Sequence, residues 1–244
     1  MNTISLNIEH VRARIAQACQ AAGRDPSQVT LLAVSKTFGP QAVRDAAACG
    51  QRAFGENYLQ EAVDKMAALA AQVPGLQWHC IGPIQSNKTR LVAEHFDWAH
   101  TVDRLKTAQR LSQQRPAQRP PLNVCLQVNI DGGPNKAGVA PGEALLLARE
   151  VAALPGLALR GLMTIPEPTP DVQAQRAVHE RARALFEQLR ADPLLSETLR
   201  AQGSRLDTLS MGMTSDLEAA ITAGSTMVRV GTAIFGERPV KNAA

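Results

Sequence analysis

Eight short apolar, β-branched runs recur along the chain, each followed by a stretch of amphipathic helical period, and this alternation limits the fold more than any other feature. The runs are 29–35 (VTLLAVS), 52–56 (RAFGE), 77–82 (QWHCIG), 98–102 (WAHTV), 123–129 (NVCLQVN), 158–165 (ALRGLMTI), 206–212 (LDTLSMG) and 226–232 (TMVRVGT). Helical stretches lie between them at 40–49, 58–70, 86–95, 104–112, 141–153, 171–190 and 215–223, and one more, 5–22, precedes the first run. Strands that each lead into a crossover helix predict a parallel sheet. Eight such units, with no gap for a further domain, predict a single (β/α)8 TIM-type barrel over residues 1–244 with an extra N-terminal helix. An open doubly wound sheet is the structural alternative. The Pro-rich segment 113–121 (QQRPAQRPP) is too short to join domains and reads as an exposed connection.

Composition narrows the partners. At 45% hydrophobic and 20% charged residues the chain is ordinary for a globular protein and too apolar for a disordered one. No window reaches the roughly 20 apolar residues of a membrane span, and the first residues are amphipathic rather than a signal-peptide block, so a cytoplasmic protein is expected. The net charge of +4 would suit nucleic acid, but the arginines are spread along helices. Two tryptophans, one tyrosine and five phenylalanines also leave few platforms for base stacking. Cys19, Cys49, Cys80 and Cys125 show no paired spacing, which predicts reduced thiols rather than a zinc site or a disulfide framework.

In a barrel of this kind the working residues stand where strands end. Of the six lysines, Lys36 alone ends a strongly apolar strand; Lys65, Lys88, Lys106, Lys136 and Lys241 fall on helices, loops or the tail. A lysine over an apolar barrel mouth loses hydration of its charge, which frees a neutral amine for Schiff-base chemistry. The plainer alternative is a lysine whose head snorkels to water. The seventh and eighth runs end in Ser210-Met211-Gly212-Met213-Thr214 and Arg229-Val230-Gly231-Thr232. Their backbone N–H groups form a candidate phosphate cradle, although glycines here could simply turn strands into helices. Arg229 shares a face with Met227 and Gly231, either the barrel interior or the helix layer, and on either face a buried guanidinium needs a partner. Glu56 reads as an anchor for the Lys36 loop, with pairing to a cation at the mouth as the alternative. His79 reads as a hydrogen-bonded barrel histidine, since no ligand-spaced His, Asp or Glu accompanies it, and His10, His95, His100 and His179 show no constellation. No nucleophile-elbow motif is present.

The strings LLAVSKT (31–37), FGENYLQE (54–61), WHCIGPIQSNK (78–88), RGLMTIP (160–166), LSMGMTSDLEAAI (209–221) and GSTMVRVGTAIFG (224–236) closely resemble the pyridoxal phosphate homeostasis proteins, in the same order and over essentially the whole chain. The resemblance implies a fold like the N-terminal barrel of alanine racemase, with pyridoxal 5'-phosphate (PLP) bound through Lys36. It further implies Arg229 as the residue facing the pyridine nitrogen, Gly231 and Thr232 as phosphate-binding positions, and Ser210, Met211 and Gly212 as the other phosphate-side loop. Asn57 matches a position near the cofactor ring and its lysine. Phe38 stands where some relatives carry a second lysine. Within 131–138 (DGGPNKAG), Lys136 is a candidate acceptor for a second PLP.

A Schiff-base lysine serves both PLP enzymes and proteins that store PLP. Racemisation needs a second base, which racemases place on a separate C-terminal domain, and only eight residues follow Gly236. The single tyrosine, Tyr58, lies inside the second strand–helix connection. A guanidinium facing the ring nitrogen would keep that nitrogen unprotonated and weaken the ring as an electron sink. The expectation is therefore a PLP carrier acting in vitamin B6 homeostasis and serving apo PLP-dependent enzymes, without efficient catalysis; the family resemblance implies a monomer. A PLP-dependent racemase of narrow specificity and a cofactor-free phosphate-ligand barrel are the alternatives.

Overall fold

The computed structural model describes residues 3–133 and 136–237; Lys241 lies outside them. Eight parallel strands hydrogen-bond in chain order: β1 (Thr30–Val34), β2 (Ala53–Glu56), β3 (Gln77–Cys80), β4 (Trp98–Val102), β5 (Leu122–Val128), β6 (Leu157–Thr164), β7 (Thr208–Ser210) and β8 (Met227–Val230). β8 pairs back onto β1, with Leu32 opposite Arg229 and Ala33 opposite Val230, so the sheet closes into the expected barrel and the open-sheet alternative falls.

The helices are α1 (Thr3–Ala21), α2 (Pro40–Ala48), α3 (Leu59–Leu69), α4 (Thr89–His95), α5 (Leu105–Gln114), α6 (Ala144–Ala152), α7 (Val172–Ala191), α8 (Pro193–Ala201), α9 (Leu217–Thr222) and α10 (Thr232–Phe235). Two of these, α8 and α10, go beyond the sequence expectation. Asp192 ends α7 and caps α8, accepting from Leu195 N–H at 2.9 Å, with Pro193 in the first turn. The extra helix α1 buries Ile8, Val11, Ile15 and Ala18 at helical spacing. Its polar residues reach the far end of the chain: Asn7 Nδ2 donates to Ile234 O at 2.9 Å, and Arg14 Nη2 to Thr214 O at 3.0 Å.

Strand alternation separates two apolar layers. Leu31, Ala33, Phe54, Cys80, Ala99, Val124 and Leu126 pack outward under the helices, while Leu32, Val34, Ala53, Ile81 and Met227, with Trp98, Cys125 and Met163, line the interior. At the N-terminal end, Arg160 grips Asp207 through Nε at 3.0 Å and Nη2 at 2.6 Å, donates to Asn123 Oδ1 at 2.7 Å and lies 5.0 Å from the Trp98 ring centre. This end of a barrel serves stability.

Arg160 reaches that position through a bulge. Val124 pairs with Leu159 but Cys125 with Gly161, so Arg160 is the extra residue. Gly161 follows at φ 154°, where an added Cβ would stand 1.8 Å from Thr208 O. Gly161→Ala is therefore expected to lower the unfolding free energy by on the order of 3 kcal/mol, measured by urea denaturation, whereas an alanine at the open Gly142 should change it little.

Candidate functional site

The apolar strand β1 ends in buried Ser35 and half-buried Lys36, and the chain turns immediately at Thr37, whose φ of 70° is rare for a β-branched residue. Contacts on both sides of Lys36 hold that turn. Thr37 N–H donates to Glu61 Oε1 at 2.8 Å, and Phe38 N–H to Ser35 O at 3.1 Å. Lys65, from α3, donates through Nζ to Ser35 O at 3.0 Å, to Glu56 Oε1 at 2.6 Å and to Glu61 Oε1 at 3.4 Å. Ser35 Oγ also donates to Glu56 Oε1, at 2.6 Å.

Glu56 and Lys65 are 0% and 3% exposed, so the ion pair is withdrawn from water. Burial pushes the Glu56 carboxyl upward, against the opposing pull of Lys65 and the Ser35 hydroxyl. Glu56 is thus the anchor of the Lys36 loop, while Lys65, which the sequence offers only as a helix lysine, is its buried partner.

Barrel closure sets the β8 and β7 ends beside this loop. A Cβ on Gly231 would come 3.2 Å from Val34 O, and the Phe38 ring packs on Phe235 at 5.3 Å between centroids. Ser210, Met211 and Gly212 are buried next to β8, with Arg229 N–H donating to Gly212 O at 2.9 Å. Gly212 has φ 93°, and a Cβ there would meet Ala220 Cβ at 2.5 Å, so only glycine brings this backbone against α9. Gly231 is half-buried and Thr232 exposed.

Arg229 faces the interior, settling the two-face ambiguity. It is 4% exposed, and the hydrogen-bond acceptors it meets are uncharged: Ser210 O at 2.7 Å, Ser210 Oγ at 2.9 Å and Thr164 O at 2.8 Å. Burial lowers its pKa to about 10, with Asp216 the main opposing influence. It remains a cation at neutral pH.

Asn57 ends β2 beside β1. Its Oδ1 is buried without a hydrogen-bond partner among the described residues, as are Thr37 Oγ1 and Thr164 Oγ1. Polar atoms left over at strand ends, a buried cation with neutral partners and a glycine-bearing backbone cradle together fit an anionic, hydrogen-bonding ligand such as PLP. Lys136 has a different setting. Its Nζ lies 2.7 Å from Asp131 Oδ2 and 3.0 Å from Glu167 Oε2. Burial lowers its pKa, but these two carboxylates outweigh that and raise it, so the ammonium form is favoured over the free amine that an imine needs.

Behind the cradle, His179 Nε2 lies 2.9 Å from Asp216 Oδ2, and Met213 N–H donates to Asp216 Oδ1 at 2.6 Å. Burial raises the Asp216 pKa, but these hydrogen bonds outweigh it and set the carboxyl below its ordinary 3.8. A lowered folded-state pKa contributes stability that is present above the unfolded value and lost as pH falls through the folded one. Asp216→Asn should therefore flatten the loss of stability between about pH 5 and pH 2, measured by urea unfolding at each pH. Lys65→Met should cost about 3 kcal/mol by stranding the Glu56 charge, and Glu56→Gln added to it should restore a large part, measured by the same method.

Comparison with known proteins agrees with the geometry. The family described as alanine racemase, N-terminal domain, matches residues 6–239. The pyridoxal phosphate homeostasis protein of Pseudomonas aeruginosa is 59% identical, covering 98% of this chain and 97% of that one, and the protein of the same name from Escherichia coli is 52% identical, covering 98% of each. PipY of Synechococcus elongatus, solved with PLP bound, superposes with a TM-score of 0.80 at 36% identity, over 96% of this chain and 100% of that one. An alanine racemase of Clostridium difficile shares the fold, at TM-score 0.67 and 13% identity, over 100% of this chain and 59% of the longer enzyme. With its closed barrel, its Lys36 strand end and near-complete coverage of these relatives, the chain belongs to the pyridoxal phosphate homeostasis protein family.

Proposed function

We propose that this protein binds PLP as a Schiff base on Lys36 and acts in PLP homeostasis, holding the cofactor reversibly and releasing it to apo PLP-dependent enzymes. The observation that carries this reading is the buried Arg229 cation, which stands on the strand paired directly with the one that leads to Lys36 and is held there by neutral oxygens of β6 and β7. When bound, PLP supplies an electrophilic aldehyde and an electron-withdrawing pyridine ring.

The chain's own residues divide the work. Lys36 supplies the amine, Gly212, Gly231 and Thr232 offer backbone N–H groups and the Thr232 hydroxyl to the phosphate, Ser210 and Met211 carry the Gly212 loop with Met211 N–H donating to Met227 O at 3.1 Å, and Asn57 offers its buried carboxamide beside the lysine. Arg229 would face the ring nitrogen; as a group that stays protonated, it would leave that nitrogen without a proton and discourage carbanion chemistry. Tyr58 is 53% exposed at the start of α3, a rim position. These features support a carrier over a racemase, and the proposal extends to a cytoplasmic monomer without a nucleic-acid or membrane partner. Among the described residues no helix is long and apolar enough to cross a membrane.

The purified protein titrated with PLP should develop a visible band that borohydride fixes on Lys36 and that Lys36→Ala abolishes. An excess of an apo PLP enzyme should then remove the cofactor and gain activity. Steady turnover of an amino acid that vanishes in Lys36→Ala would replace this reading with the racemase, and phosphate-ester binding without a band would replace it with the cofactor-free barrel.

A further inference from the structure

Inside the barrel, side chains from four strands form one hydrogen-bonded row. His79 Nδ1 on β3 lies 2.9 Å from His100 Nε2 on β4, His100 Nδ1 lies 3.1 Å from Ser210 Oγ on β7, and Arg229 Nη1 on β8 donates to that oxygen at 2.9 Å. Exposures of 1%, 0%, 0% and 4% place all four out of water. The barrel mouth alone does not call for two histidines beneath it.

The end of the row at Arg229 fixes the direction of its protons. A guanidinium only donates, so Ser210 Oγ accepts from Arg229 and must send its own proton to a neighbour that can accept. The other neighbour of that oxygen is His100 Nδ1. His100 therefore carries its proton on Nε2 and donates to His79 Nδ1, which puts the His79 proton on Nε2. In this order one buried group lacks a partner, His79 Nε2, on a ring stacked 5.2 Å from Trp98 with 9° between planes. The reverse order would strand both that nitrogen and the Ser210 hydroxyl, at a further desolvation cost. Both rings are held neutral. Burial lowers His79 to about 3, and burial, then His79 and Arg229, lower His100 well below its usual range.

We infer that His100 is a positioning residue: as a neutral acceptor for the Ser210 hydroxyl, it fixes that side chain and, through it, the plane and depth of the Arg229 guanidinium at the barrel mouth. Ser210 also opens the Ser210–Gly212 loop, so one imidazole sets the spacing between the proposed phosphate loop and the proposed ring-nitrogen donor. The consequence for PLP rests on the function proposed above; the lock on Arg229 does not.

The test begins on the ligand-free protein, by nitrogen-15 NMR of histidine rings and arginine side chains. Expected are His79 and His100 both neutral, with protonated Nε2 and bare Nδ1, and resolved, slowly rotating Nη hydrogens on Arg229. His100→Phe should collapse the Arg229 signals, and His100→Gln, which again presents an acceptor, should restore them. With PLP added, His100→Phe should weaken binding by on the order of ten-fold and shift the visible maximum, with His100→Gln close to the parent. Ser210→Ala should show the same defect, and the double variant His100→Phe, Ser210→Ala no more than either alone. A protonated Nδ1 on His100 in the parent, Arg229 signals unchanged in His100→Phe, or additive losses in the double variant would overturn the inference. A parent protein that shows the locked Arg229 but no Lys36-linked band would instead overturn the proposed function and leave the lock standing.

Discussion

The hydrogen bonds between β1 and β8 are the contact on which the site depends. They join the first strand of the barrel to the last, so that the chain's opening segment lies beside residues almost two hundred positions later. Lys36 follows β1, Arg229 stands within β8, and the Ser210–Gly212 loop follows the neighbouring β7. An open sheet with the same strands would place these groups on opposite edges. Closure also hides the strand edges that would otherwise recruit other chains.

Within that frame, charge is buried at two places beside the candidate site, each with its own compensation. Under the Lys36 loop, the buried Glu56 carboxylate meets the buried Lys65 ammonium; Lys65 also donates to Ser35 O ahead of the lysine, and Glu61, itself paired with Lys65, accepts from Thr37 N–H behind it. Such a pair adds little net stability compared with apolar residues of the same size, but it defines geometry. It holds a threonine at positive φ directly after Lys36. Beneath the mouth, the hydrogen-bond acceptors of Arg229 among the described residues are neutral oxygens, with Asp216 acting on its charge from farther away, whereas Lys65 touches two carboxylates directly. The first arrangement fixes the backbone around Lys36, and the second is the one that the proposed function assigns to the ligand.

Much of this architecture was legible in the sequence. The strand periodicity located all eight strands to within a few residues, because strands buried on both faces read as continuous apolar runs. Lys36 stood out as a charge ending such a run. For Arg229, alternation gives a face but not which face, and only the register opposite Leu32 assigns it to the interior. Lys65 was hidden by its own helix, since Glu61 and Lys65 at a spacing of four read as an ordinary surface pair. The histidine row was illegible because its members are 21 and 110 positions apart in the chain. Two helices fill the β6–β7 connection because Asp192-Pro193 breaks one and starts the next, a local signal outweighed by the long amphipathic period of α7.

The helix α1 is made long before the elements that complete its packing. Its apolar face packs on α9 and α10, and Asn7 and Arg14 end on carbonyls of residues 234 and 214. On the ribosome, it must wait as an amphipathic segment, with the β1 edge that faces β8 unpaired, until β8 and α10 have emerged. Contacts of such long sequence separation slow folding and leave sticky intermediates. The brackets that steady the loops after β7 and β8 thus form only once those elements have been made, so a nascent chain that stops short of them would carry Lys36 without the neighbours that closure sets beside it.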